Sequence, residues 1–185
     1  MRARTAVTFI ATALIVATAC KGRDAGNANV VASGSASPTA NSITFDGLPR
    51  FRIGATTTQL AANGDTIPPV SGEDVACHLV RLPSLPTGAR LMLMNDSLAR
   101  IDIDSTSEVK TVDGAGIGDS VARVAQLYGA RLVTQPHKYE AAGHYLIVTD
   151  QSDTLRRLVF ETDGKTVRSF RVGRRPAIDY VEACG

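Results

Sequence analysis

From Ile43 onward, apolar and polar positions follow helical and strand periodicities in an order that occurs twice along the chain. Two short stretches, 55–64 and 119–129, each begin after an Ile-Gly dipeptide and end in Gly, which is typical of a helix and its C-terminal cap. In the second stretch one helical face is apolar and consists of Val121, Val124, Ala125 and Tyr128. We expect this face to pack on a β-sheet.

Apolar runs with the spacing of β-strands follow each predicted helix and are separated by polar turns. The runs lie at 91–94, 98–104 and 109–112 in the first half and at 146–149, 155–161 and 167–170 in the second. Between the last two runs, Asp163-Gly164 favours a tight hairpin turn. The sequence therefore predicts an α+β fold of two tandem units, 43–114 and 115–185. Each unit is a short helix followed by an antiparallel β-meander, and the two are packed as one compact body.

The N-terminal region has a different pattern, with two arginines, one apolar run and then small residues before Cys20. This order is that of a secretory signal peptide, which we predict at residues 1–19. Its apolar run is shorter than a membrane-spanning helix requires. The sequence contains no other long apolar stretch, which argues against a polytopic membrane protein.

The segment 16–20 resembles the lipobox of bacterial lipoproteins, in which the cysteine is lipidated and becomes the first residue after cleavage. The resemblance implies a lipid anchor on Cys20 that holds the protein at the bacterial envelope. The alternative is an ordinary signal peptide cleaved near Ala19 with an incidental cysteine. Residues 20–42 are mostly small and polar, and we predict that they form a flexible tether. Because Lys21 replaces the Asp associated with inner-membrane retention in some bacteria, the outer membrane facing the periplasm is favoured.

The order of elements between Phe51 and Tyr180 resembles that of the SmpA/OmlA (BamE-like) outer-membrane lipoproteins, in which a helix is followed by an antiparallel meander. Two such units in tandem resemble the architecture of the beta-lactamase inhibitor protein. The resemblance rests on element order, tandem arrangement and the export signal, and it implies the fold and the class of binding module. It implies no individual binding residue, because the assembly lipoproteins have one unit and this chain has no Trp for an aromatic-rich binding sheet.

The number of cysteines in the sequence predicts a disulfide bond. If Cys20 is lipidated, Cys77 and Cys184 remain as an even pair in an oxidising compartment, and we expect a disulfide between them. The alternative is two separate buried thiols. The bridge would join the C-terminal end of the chain to the first unit.

The segment after the second predicted helix contains the only clustered candidate metal ligands, His137, Glu140 and His144. Histidine and carboxylate are normal zinc ligands, and a turn at this point would let the three side chains converge. This arrangement would support an alternative function, that of an envelope hydrolase or other metal-dependent enzyme. The competing interpretation is a solvated loop, since Pro136 and Gly143 bound the segment.

Charge is small in total but uneven along the chain. Twenty Lys and Arg against 18 Asp and Glu give a formal charge of +2, which does not indicate a nucleic-acid binder. Basic residues concentrate near the C-terminus, where candidates for binding an anionic glycan, a lipid or an acidic partner are Arg168, Arg171, Arg174 and Arg175. A solvated basic face is the alternative. Asp102 and Asp104 alternate with isoleucines and are expected on a solvated strand face.

These observations favour an exported, lipid-anchored envelope protein that acts as a non-catalytic protein-binding or assembly module. The expected partners are an envelope protein and, through the lipid anchor, the membrane. An anionic glycan or lipid is the further alternative. We expect no cofactor, no catalytic residue and no metal ligand.

Overall fold

The structure, a computed structural model, describes residues 41–68 and 76–184. The predicted signal peptide 1–19, the lipidation site Cys20 and the predicted tether up to residue 40 lie outside the described residues. Within the part that is described, no helix is long and apolar enough to cross a membrane.

Most regular structure in the described residues is β-strand, and two helices accompany the strands. Short 3-10 helices also occur at Gly129–Arg131 and Ala177–Asp179. In chain order the elements are β1 (Ser42–Ile43), β2 (Gly47–Leu48), β3 (Phe51–Arg52), α1 (Thr57–Ala62), β4 (Cys77–Val80), β5 (Ala89–Met94), β6 (Ser97–Ile103), β7 (Lys110–Thr111), α2 (Val121–Tyr128), β8 (Leu132–Pro136), β9 (His144–Thr149), β10 (Arg156–Thr162) and β11 (Val167–Arg174).

Seven of these strands form one antiparallel sheet in the order β4-β5-β6-β11-β10-β9-β8. Two antiparallel meanders, one from each half of the chain, meet where β6 pairs with β11. At this junction Ile103 lies opposite Phe170 and Ile101 lies opposite Val172. The two halves therefore share one continuous sheet and one core.

The predicted α+β fold of two tandem helix-plus-meander units is wrong. The content is 41% strand and 15% helix, and α2 is the single helix of seven or more residues in the described chain. In the first predicted helix, Thr56 forms the N-cap and Asn63 the C-cap, which leaves six helical residues. So short a helix cannot form a layer of its own, and the strands continue across the junction between β6 and β11.

One face of the sheet, on the side of α1 and α2, carries the main hydrophobic core. Alternate residues of the central strands point to this side because the side-chain period of a strand is two. Leu60 of α1 and Val124 and Tyr128 of α2 are buried among them. The Tyr128 hydroxyl donates to Oγ1 of Thr111, and burial raises the pKa of Tyr128. We call the opposite side of the sheet the second face.

Candidate binding face

The second face carries charged side chains in its centre. In a β-sandwich the corresponding positions would be apolar, because a second sheet would cover them. Strand register places Arg90 of β5 opposite Asp102 of β6, and Asp102 opposite Arg171 of β11. Glu161 of β10 lies on the same face, opposite Ser169. Charges of opposite sign thus alternate across neighbouring strands, an arrangement that stabilises cross-strand pairs.

Arg100 is the most deeply buried of these charges, with 4% of its side chain exposed. Its guanidinium lies 2.8 Å from Asp102 Oδ1 and donates to the main-chain carbonyls of Ala177, at 3.1 Å, and Tyr180, at 2.6 Å. Burial lowers the pKa of Arg100, and the neighbouring Asp102 carboxylate opposes that shift. The arginine therefore holds together the sheet and the chain that crosses it, which we call the C-terminal segment (residues 176–184).

Arg171 makes an equivalent connection one strand away. Its Nη1 forms an ion pair with Glu161, and its Nε donates to the carbonyl of Ile178 at 3.0 Å. Ile178 itself is fully buried against Val159 and Tyr145 on the second face. The C-terminal segment is thus fixed both by apolar contact and by hydrogen bonds to buried arginines.

Gly173 provides the space that this arrangement requires. It lies opposite Arg100 in the β6–β11 pairing. A Cβ atom at position 173 would lie 2.7 Å from the carbonyl oxygen of Ala99 and 3.0 Å from the Arg100 Cα. The backbones of β6 and β11 could not remain so close with a larger residue at this position.

A disulfide between Cys77 and Cys184 fixes the end of the C-terminal segment to β4, with the two Cα atoms 5.5 Å apart. The predicted disulfide bond is confirmed. It closes a loop across 107 positions of sequence. Covalent and hydrogen-bonded restraints therefore hold the same short segment over the second face.

A cleft of about 350 Å³ remains between the C-terminal segment and the sheet. Its lining includes Leu79, Arg90, Ser169 and Val181, with several carboxylates around them. The carboxylates have basic partners in the chain, as in the pairs Arg100–Asp102, Arg81–Asp104, Arg171–Glu161 and Lys138–Glu182. Arg90 differs, because its buried Nε has no hydrogen-bond partner among the described residues.

Four of the six large apolar side chains that are exposed in the described residues lie on this side of the molecule. Leu79 lies on the second face at one edge of the sheet and Val133 at the other. Tyr180 belongs to the C-terminal segment, and the Tyr139 hydroxyl donates to Glu182 of that segment. We call Leu79, Val133, Tyr139 and Tyr180 the exposed apolar group. Two further exposed apolar residues of the described chain, Val112 and Leu155, lie outside it.

The four arginines predicted to bind an anion or partner are not brought together. Arg168 is exposed, whereas Arg171 is 5% exposed and paired as described above. Arg174 forms an ion pair with Asp153, and Arg175 donates to Asp179 at 2.6 Å. Three of the four are thus engaged with carboxylates of the same chain.

The three candidate metal ligands do not converge on one site. His137 stacks on Tyr145 on the second face, and its Nδ1 accepts the main-chain N–H groups of Tyr139 and Glu140. Position 144 directly precedes Tyr145 in β9 and therefore faces the opposite side of the sheet. Glu140 is exposed. Among residues 41–68 and 76–184, no group of three or more potential ligands could hold a metal ion.

The structural roles of Arg100, Asp102 and Gly173 were missed by sequence analysis. Asp102 was expected on a solvated strand face, yet its side chain is only 14% exposed because Arg100 pairs with it and the C-terminal segment covers both. The available signal was that Arg100 and Asp102 alternate with apolar residues in β6, while β11 is basic. Opposite charges at alternate positions are what cross-strand pairs require.

Comparison of the chain with protein-family models, curated proteins and solved structures gave no match. The resemblance to the BamE-like lipoproteins therefore stays a prediction. The residues of the second face are therefore the basis for assigning a function.

Proposed function

We propose that this chain is an exported bacterial envelope lipoprotein that binds a protein partner, without catalysis, through its second face. The observation that carries this proposal is the exposed apolar group. Leu79 and Val133 mark the two edges of the face, and two tyrosines lie on or against the segment that crosses it. Tyrosines are enriched in protein interfaces, and exposed apolar residues on the same face favour binding there.

The charged residues of the same face hold the C-terminal segment in place. Arg100 and Arg171 use their donors on carboxylates and on carbonyls of the C-terminal segment. A segment held in this way presents Tyr180 in a fixed position. Fixed aromatic side chains lose little entropy on binding, which favours their use as contact residues.

Placement in the envelope rests on the export signal and on the lipobox-like segment before Cys20. The Cys77–Cys184 disulfide supports this placement because such bonds persist in oxidising compartments outside the cytosol. Both features are independent of the exposed apolar group on the second face.

Paired polar substitutions in the native envelope test the binding face. Val133→Glu with Tyr180→Ser should reduce the recovery of a stoichiometric, chemically crosslinked protein complex at least tenfold. The matched control, Val112→Glu with Leu155→Ser, changes two apolar residues of similar exposure outside the group and should leave recovery unchanged. Equal loss in both variants, or no stoichiometric complex in the unchanged protein, would contradict the proposal.

A further inference from the structure

The sheet ends in an edge strand, β8, whose outer side has no strand partner among the described residues. β8 pairs with β9 along its whole length without a register shift. Four of its five residues are exposed. The other edge strand, β4, differs because the disulfide at Cys77 joins it to the C-terminal segment.

The hydrogen bond directly after β8 shows which main-chain groups of the strand point away from the sheet. The N–H of His137 donates to the carbonyl of Gly143 at 3.0 Å, and hydrogen-bonded pairs recur at every second residue of an antiparallel ladder. Val133 and Gln135 therefore bond to β9. The N–H of His144, opposite Pro136, points the other way and donates to Thr162 of β10, as this alternation requires.

The remaining residues of β8 direct their main-chain N–H and carbonyl groups away from the sheet. Thr134 presents both its N–H and its carbonyl, and Leu132 and Pro136 present their carbonyls. The N–H of Leu132 is already bonded to the carbonyl of Gly129, and a proline has no N–H. The outer edge thus offers three acceptors and one donor.

We propose that β8 binds an extended segment of the protein partner, which adds to the sheet as an antiparallel strand next to β8. This inference rests on the proposed function and specifies how the partner is held. Three alternate N–H groups of the added strand would donate to Leu132, Thr134 and Pro136, and one carbonyl would accept from Thr134. The partner segment therefore has no proline at those three positions.

A second copy of this chain fits the edge less well. If two β8 strands paired around Thr134, only the two bonds between the Thr134 residues could form. Each remaining carbonyl would face either the Leu132 N–H, which is already used, or Pro136, which has none. A different polypeptide can form about twice as many hydrogen bonds, so the edge favours a foreign strand.

Side chains on β8 favour the same occupant. Val133 points to the second face and is 54% exposed, and the strand contains no charged residue. Natural edge strands are commonly protected by charges, bulges or proline, and β8 has only the proline, Pro136 at its last position. An apolar residue of the added strand would lie beside Val133 and continue the exposed apolar group.

Crosslinking in the intact envelope tests the inference, with p-benzoylphenylalanine in place of Tyr139. Thr134→Pro removes the one outward N–H and leaves the bonds to β9 in place, so the partner adduct should fall at least tenfold. Thr134→Val keeps the N–H and should preserve the adduct. An adduct that persists with Thr134→Pro would overturn strand addition and leave the proposed function standing. No adduct in the protein with an unchanged β8 would overturn both.

Hydrogen exchange of the free protein, measured amide by amide, provides a second test, and its main comparison is made in the unchanged protein. Thr134 should exchange much faster than Val133 and Gln135, because only the latter two are bonded within the sheet. Protection of Gln135 in the Thr134→Pro protein would show that the strand pairing persists. Equal protection of all three amides in the unchanged protein would mean that the edge is occupied and would overturn the inference.

Discussion

The guanidinium of Arg100 lies 2.6 Å from the main-chain carbonyl of Tyr180, a residue 80 positions later in the chain. This contact joins the centre of the sheet to the segment that carries an exposed tyrosine of the proposed interface. Because the arginine also pairs with Asp102, its loss would leave a carboxylate and two carbonyls without their donor.

Replacement of Arg100 tests the importance of this connection. Arg100→Met should lower the free energy of unfolding by about 3 to 5 kcal/mol, since removing one partner of a buried ion pair strands the other. Urea denaturation measures the change. Arg168→Met is the control, because Arg168 is exposed, and it should stay within about 0.5 kcal/mol. Similar stability of the two variants would show that Arg100 contributes little.

Loss of the disulfide should destabilise the body without changing its fold. We expect Cys77→Ala with Cys184→Ala to lower the free energy of unfolding by about 2 to 4 kcal/mol, because the bond restricts the unfolded chain. Reduction of the unchanged protein should have a similar effect. If the denaturation midpoints of the oxidised and reduced proteins coincide, the bond is not a stabilising element.

Gly173 should not tolerate a side chain. Gly173→Ala places a Cβ against the Ala99 carbonyl and the Arg100 backbone, and the resulting overpacking should cost about 1 to 3 kcal/mol. Thermal denaturation can compare it with Arg168→Ala, an exposed site on the same strand that should have little effect. An unchanged Gly173→Ala protein would mean that β6 and β11 have room to separate.

Acid should weaken the fold through specific carboxylates. Hydrogen bonds from the main-chain N–H groups of Thr166 and Lys165 lower the pKa of Asp163, and Arg174 lowers that of Asp153. A carboxyl with a lower pKa in the folded state contributes stability above its unfolded pKa of about 4 and loses it as the pH falls further. The melting temperature should therefore decline below about pH 4, and less steeply in Asp163→Asn. Identical pH profiles would contradict this account.

Lipidation is tested by fractionation of cells. Cys20→Ser should move the protein from the membrane fraction to the soluble envelope fraction, because the thiol that carries the lipid is absent. Carbonate washing and immunodetection measure the distribution. Retention of Cys20→Ser in the membrane would point to another means of attachment.

Local features of the chain were more predictable than their assembly. The apolar face of α2 and the Asp163-Gly164 turn depend on neighbouring residues, and a periodic pattern reports such features. The β6–β11 junction depends on pairing between residues far apart, such as Ile101 and Val172, and no local signal encodes it. For this reason the sequence predicted two tandem units, each with its own meander, and not one continuous sheet.

The candidate face was less predictable for the same reason. Asp102, which was expected on a solvated strand face, lies opposite Arg171, which was a candidate for binding an anion or partner, and the C-terminal segment crosses the sheet beside them. The disulfide could be predicted because cysteine number and compartment restrict the choice of partners. Which side chains the segment covers depends on its path, and sequence spacing does not give that path.

Substitution at two valines tests most directly whether the second face binds a protein in the envelope. Val133 and Val112 are both exposed, at 54% and 39%, but only Val133 belongs to the exposed apolar group. A photo-crosslinking residue should be introduced at each position separately in the native envelope. We expect one dominant protein adduct from position 133 and none from position 112. Equal adducts at both positions, or none at position 133, would contradict it.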